Sequence, residues 1–167
     1  MDTRRRRFLD AISGRKAVTL DTNACIYYLD EREPFAELVA SVIDLASTGS
    51  IEVMLSAIVQ LELLVRPYAL GNQMLIKRVI EFTEEHAGIR TSSISRGVVM
   101  ATGQVRAITR FKLPDALIIG TAAAVGAELI IGNDSKFARL NSMRNMEILS
   151  DGYARRLPAF LRLDDYV

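Results

Sequence analysis

The sequence predicts an α/β sandwich, a small and mainly parallel sheet flanked by helices. Three observations point that way. Short apolar runs alternate with longer segments of helical periodicity, as in strand–helix units. Two of those runs, Ala17-Val18-Thr19-Leu20 and Leu129-Ile130-Ile131, give way to polar segments carrying an acid, Asp21-Thr22-Asn23 and Gly132-Asn133-Asp134. Half of the 167 residues are hydrophobic, enough for a substantial core, so wholesale disorder is not expected. The length suits one domain with short appendages. We read residues 1–14 as a basic N-terminal extension, 15–152 as the domain, and 153–167 as a C-terminal tail packed on it.

The elements follow in order. Residues 2–13 are basic, with Phe8, Leu9 and Ile12 at helical spacing, which predicts a short docking helix. Residues 17–20 form the first strand. Residues 22–30 form a helix with Thr22 or Asn23 near its N-terminus. Pro34 stands where a first helical residue is tolerated. Phe35, Leu38, Val39, Val42, Ile43 and Leu45 then mark an amphipathic helix to about Ala46. The turn 47–50 leads to a second strand over 51–55. Residues 57–66 are helical and stop near Pro67, and Asn72 caps a helix to about His86. A weaker strand spans 89–94. Helices cover 96–110 and 114–125, the second capped by Gly126. A fourth strand spans 127–131 and a short fifth 146–149.

Composition excludes several classes. No uninterrupted apolar stretch reaches 18 residues, so no membrane span is expected. The arginine-rich start lacks a long apolar run behind it, which argues against a secretory signal. Cys25 alone cannot make an intramolecular disulfide and fits a reducing, cytoplasmic setting. The net charge is +1, so nucleic-acid binding must come from local clusters. The single His86 removes multi-histidine zinc sites and weakens a Ser-His-Asp arrangement, and there is no P-loop.

Four acids carry the chemical argument. Asp21 ends a strand, at the edge where parallel α/β sheets bind ligands, although a helix cap worth about 1 kcal/mol explains it equally well alone. Glu62 lies in the leucine-rich helix around Leu61, Leu63 and Leu64, where the exposed stripe should be narrow. A surface pair with Arg66, worth about 0.3–0.5 kcal/mol, is the plainer account of it. Asp115 follows Pro114 at the start of a helix apolar on all sides, so it should face a cleft. Asp134 ends the strand after Ile131, parallel to Asp21, where a cap before Ser135 would also suit it. Clustered carboxylates repel each other unless a cation neutralises them. All-oxygen donors without histidine favour Mg²⁺ or Mn²⁺, ions commonly paired with phosphodiester chemistry.

Four blocks resemble the PIN-domain nucleases, nearest the toxin branch called VapC. They are Leu20-Asp21-Thr22-Asn23, Ser56-Ala57-Ile58-Val59-Gln60-Leu61-Glu62-Leu63, Leu113-Pro114-Asp115-Ala116-Leu117-Ile118 and Gly132-Asn133-Asp134-Ser135-Lys136-Phe137. The resemblance covers roughly residues 16–150. It implies a PIN-like three-layer sandwich with Asp21, Glu62, Asp115 and Asp134 as the catalytic, metal-binding acids. It also implies Mg²⁺- or Mn²⁺-dependent cleavage of RNA, frequently by a homodimer with an antitoxin partner. Two positions depart from the pattern. Many members carry Thr or Ser at the place of Gly132, and an acid at the place of Lys136.

The expected mechanism is in-line hydrolysis of a phosphodiester. Asp21, Asp115 and Asp134 hold one or two ions, Glu62 binds through water or orients the attacking water, and Asn23 helps fix Asp21. Arg66, Arg106, Arg110 and Lys112 are candidate RNA contacts. The run Arg4–Arg7 is either an RNA contact or a solvated tail. Tyr27 and Tyr28 are candidates for base stacking, with core packing the better account of at least one. Two rivals stand beside this reading. One is a PIN scaffold that binds RNA or a protein partner with little catalysis, favoured by Gly132. The other is a haloacid-dehalogenase-like phosphatase, which wants an Asp where Asn23 stands.

Overall fold

A computed structural model describes residues 2–167. Five strands form one parallel sheet: β1 (Ala17–Leu20), β2 (Glu52–Ser56), β3 (Ile89–Ser92), β4 (Leu129–Gly132) and, numbered in chain order, β7 (Ala159–Arg162). Their order is β3-β2-β1-β4-β7. Every neighbouring pair is parallel. Val18, Leu20, Val53, Leu55, Ile130 and Ile131 are fully buried, as expected for a sheet covered on both faces.

Among the described residues seven α-helices surround the sheet: α1 (Thr3–Ile12), α2 (Thr22–Leu29), α3 (Phe35–Ser47), α4 (Ala57–Ala69), α5 (Gln73–Ile80), α6 (Arg96–Thr109) and α7 (Leu113–Val125). Asn72 caps α5, its side-chain oxygen accepting from the Leu75 N–H at 3.1 Å. Gly126 ends α7 in the left-handed region at φ 76°, where a side chain would be strained. Burial of α7 follows its composition: Ala116, Ile119, Gly120, Ala122 and Ala123 are all enclosed. Gly120 lets α6 approach closely, since a Cβ there would lie 2.3 Å from the Thr102 hydroxyl.

Several details differ from the sequence expectation. Pro67 lies inside α4 rather than stopping it. It sits in the last turn, so only one helical hydrogen bond is forfeited. The exposed face of α4 is broad and apolar, with Leu61, Val65 and Tyr68 each more than half exposed. The strand near residue 147 leaves the main sheet. As β5 (Glu147–Ser150) it pairs antiparallel with β6 (Tyr153–Arg156) in a separate hairpin. Alternate β5 residues are buried, as on a one-sided sheet, whereas Ala159-Phe160-Leu161 is buried throughout and enters the parallel sheet as β7.

The basic extension is anchored. Phe8 and Ile12 are buried, and the Phe8 ring meets Tyr166 edge-on at 5.5 Å. The Arg5 Nε donates to the Ser41 hydroxyl at 2.8 Å, and the Arg7 guanidinium lies over the Tyr166 ring. Tyr27 stacks on Phe35 and Tyr28 packs at a tilt against Phe82, so both rings serve aromatic packing. No helix among the described residues is long and apolar enough to cross a membrane.

Candidate active site at the strand-order switch

The strand order explains why the acids meet where they do. The chain runs outward from β1 to β2 and β3, then crosses back to place β4 on the other side of β1. The crevice at the carboxyl ends of β1 and β4 is therefore the switch point, where open α/β sheets bind ligands. Asp21 follows β1 there, and Asn133 and Asp134 follow β4.

Asp21 is buried, with 3 % of its surface exposed. One carboxylate oxygen accepts from the Ala24 N–H at 2.7 Å, capping α2, and the other accepts from the Asn133 N–H at 3.3 Å. Cap and candidate site residue are thus the same group. Burial pushes its pKa up to about 6, against the backbone N–H groups that favour the charged form, with Asp134 adding repulsion. Asn23 is exposed and lines a groove beside Glu62, while the bonds holding Asp21 come from Ala24 and Asn133.

Glu62 is half-buried on α4 and accepts a hydrogen bond from the Thr22 hydroxyl. This ties α4 to the residue next to Asp21. Asp115, on the first turn of α7, has a side chain only 15 % exposed. Asp134 precedes the 3-10 segment Ser135–Ser142 and caps it, accepting from the Lys136 N–H at 3.0 Å. The Lys136 ammonium lies 3.2 Å from Asp115 and 3.1 Å from Asp134. Those contacts, with Asp134 the stronger, hold the lysine pKa above its ordinary value. Among the described residues no three His, Cys, Asp or Glu side chains are gathered tightly enough to enclose an ion. The acids instead stand as one pair joined through Lys136, with Asp21 behind and Glu62 turned to Thr22.

This donor set suits a hard divalent cation. Mg²⁺ keeps several waters and needs only one or two protein carboxylates, so a closed cage is not required. The position between Asp115 and Asp134 already attracts a positive charge, the Lys136 ammonium. Arg110 and Lys112 line a cleft of about 390 Å³ beside Asp115 and Lys136. Arg66 lines the groove of about 330 Å³ beside Glu62, and Arg106 stands exposed on α6 outside both.

Gly132 has a physical reason. A Cβ at this position would lie 2.0–2.7 Å from all three atoms of the Asp21 carboxylate. The room left by the missing side chain is filled by Asp21 itself. Gly132→Ala should therefore push Asp21 off its contacts with Ala24 and Asn133. The expected cost is about 1–3 kcal/mol, read as a lower urea midpoint. An unchanged midpoint would show that the crevice yields freely.

Three contributors were not apparent from sequence: Thr22, Asn133 and Asp164. The Asn133 side chain donates to Asp164 at 3.0 Å, and its oxygen accepts from the Asp164 N–H at 2.9 Å. The C-terminal segment thereby braces the loop carrying Asp134. Asp164 lies 31 residues from Asn133, and nothing in the local pattern signals the pairing.

No curated protein sequence matches the chain significantly. Among solved structures, the fold is similar to a chain of VapBC2 from Rickettsia felis bound to a DNA fragment from its promoter. That likeness has a TM-score of 0.60 and 19 % identity over 74 % of this chain and 92 % of that one. DNA-bound VapBC from Salmonella typhimurium gives 0.58 and 19 %, covering 89 % and 98 %. A toxin–antitoxin complex from Klebsiella pneumoniae gives 0.56 and 21 %, covering 72 % and 90 %. At these identities the likeness is one of fold. The PIN domain family matches residues 18–142, from β1 through the turn that carries Asp134 and Lys136. That span includes all four acids and most of the chain, and this protein belongs to the PIN domain family.

Proposed function

We propose that this protein is a divalent-metal-dependent endoribonuclease, and the toxin of a toxin–antitoxin pair. The observation that carries the proposal is the set of carboxylates at the switch crevice, two of which already share a cation. The family match supports nuclease chemistry. The toxin role rests on the similar folds found in VapBC and toxin–antitoxin structures, and an antitoxin is the partner that reading implies.

Asp21, Asp115 and Asp134 would hold Mg²⁺ or Mn²⁺, with Glu62 acting through water. When bound, such an ion lowers the pKa of a water and offsets charge on phosphoryl oxygens. The residues of the chain do the rest. Asp21 is fixed in one orientation by two backbone N–H groups. Glu62, held by Thr22 at the crevice edge, would bind the ion through water or orient the attacking water. Arg110 and Lys112 flank Asp115 and offer charge to the RNA backbone on one side, with Arg66 on the other. Arg106 would contribute only to a longer RNA path along α6.

The test is incubation of the full chain with structured and unstructured RNA in Mg²⁺, Mn²⁺ and EDTA. Cleavage in either ion and none in EDTA is expected. RNA binding that persists in EDTA without cleavage in Mn²⁺ would select a non-cutting scaffold instead.

A further inference from the structure

The Lys136 ammonium sits between the two carboxylates best placed to receive a metal ion. It contacts Asp115 at 3.2 Å and Asp134 at 3.1 Å. Its own backbone N–H also donates to Asp134, so the residue engages that carboxylate twice. The arrangement is asymmetric in exposure. The lysine side chain is 56 % exposed, while those of Asp115 and Asp134 are 15 % and 28 % exposed. The acids are held in the protein wall, whereas the lysine side chain is open to solvent. The side chain has room to swing within the cleft of about 390 Å³ that it lines together with Arg110, Lys112, Asp115 and Ser135.

We propose that Lys136 is a built-in competitor for the divalent cation and sets the metal affinity of the site. The proposal rests on the metal-dependent reading above. In the metal-free protein Lys136 neutralises the repulsion between Asp115 and Asp134. A divalent ion takes that position only when the ammonium moves out, since two cations at one carboxylate pair repel. Binding therefore exchanges two ammonium contacts for the ion rather than filling an open site. Once displaced, the ammonium joins Arg110 and Lys112 at the mouth of the cleft, where a phosphodiester of the substrate would meet it. Metal entry and the positive charge presented to RNA are thereby coupled through one flexible side chain. Lysine suits this role because its ammonium is a compact charge on a flexible stem.

The test is calorimetric titration of the full chain with MnCl₂ near neutral pH, for the wild type, Lys136→Met and Lys136→Arg. Lys136→Met keeps most of the side-chain length and removes the charge, and should bind Mn²⁺ about tenfold tighter, equivalent to about 1.4 kcal/mol. Lys136→Arg keeps the charge and should stay near the wild type. Thermal melting supplies a second readout. Lys136→Met should melt below the wild type in EDTA, because the acid pair loses its counter-ion, and level with it in saturating Mn²⁺. Equal or weaker Mn²⁺ binding by Lys136→Met, with binding by the wild type intact, overturns the role of Lys136 alone. Absence of Mn²⁺ binding by every protein overturns this proposal and the metal-dependent reading together.

Discussion

Asp21→Asn is expected to abolish RNA cleavage, by about a hundredfold or more, while making the metal-free protein more stable near pH 7.5. The loss of activity follows from the proposed role of Asp21 as a metal ligand, since even the groups that support such ligands are worth about 10–100-fold. The gain in stability follows from burial. Burial raises the folded-state pKa of Asp21 to about 6, above the ordinary carboxylate range, so the folded protein holds this proton more tightly than the unfolded chain. A raised pKa contributes stability that is fully present below about pH 4 and is lost as pH rises through about 6. About two pKa units correspond to about 3 kcal/mol. The asparagine keeps the acceptor for Ala24 but cannot accept from Asn133 with its NH₂ end, so the net gain is smaller. Urea unfolding in EDTA from pH 4 to 8 should show a falling stability for the wild type and a flatter line for the variant. Mn²⁺ should raise the wild type most at the upper end of that range. Parallel pH profiles for the two proteins would show that the Asp21 carboxyl titrates normally, and retained cleavage would remove Asp21 from the mechanism.

Phe137→Ala is expected to cost about 3–5 kcal/mol of stability. The ring is 1 % exposed and stands between Phe111 at 5.9 Å and Phe160 at 5.6 Å. The Arg139 guanidinium covers the Phe111 ring at 4.4 Å and donates to the Thr109 carbonyl, closing the cluster from outside. Phe160 belongs to β7, so one side chain ties the 3-10 segment, the helix connection and the edge strand together. That segment also carries Lys136, and Asp134 caps it. Mn²⁺ affinity should fall along with the urea midpoint. Ile89→Ala supplies the comparison, because Ile89 is 3 % exposed on β3 at the opposite edge of the sheet. It should lower stability by about 2–5 kcal/mol and leave Mn²⁺ affinity alone in the folded protein. Equal effects of the two variants on Mn²⁺ binding would show that the aromatic cluster has no particular hold on the site.

Both expectations join a buried group to the crevice, and the residues of the crevice are unequally visible in the sequence. Asp21 could be singled out because a buried strand ending in a carboxylate leaves few alternatives. Its role as a helix cap first looked like a rival account. The structure shows that one carboxylate caps α2 with one oxygen and meets the second strand end with the other. Lys136 was visible only as a departure from a pattern. Its position over two acids 21 and 2 residues away depends on how α7 and the β4 loop are brought together. In the sequence Gly132 is a departure from the Thr or Ser that many PIN-domain members carry. Its neighbour across the crevice, Asp21, shows it to be a space already occupied.

The sequence by itself determined the alternation of strands and helices, the buried α7, the docked basic helix and the places where acids end strands. Those features rest on local periodicity and on chemistry within a few residues. Only the tertiary structure decided the strand order that makes β1 and β4 neighbours, the entry of residues 159–162 into the sheet, and the bracing of Asn133 by Asp164. Contacts across such separations arise when packed layers choose partners, and a local pattern carries no record of that choice.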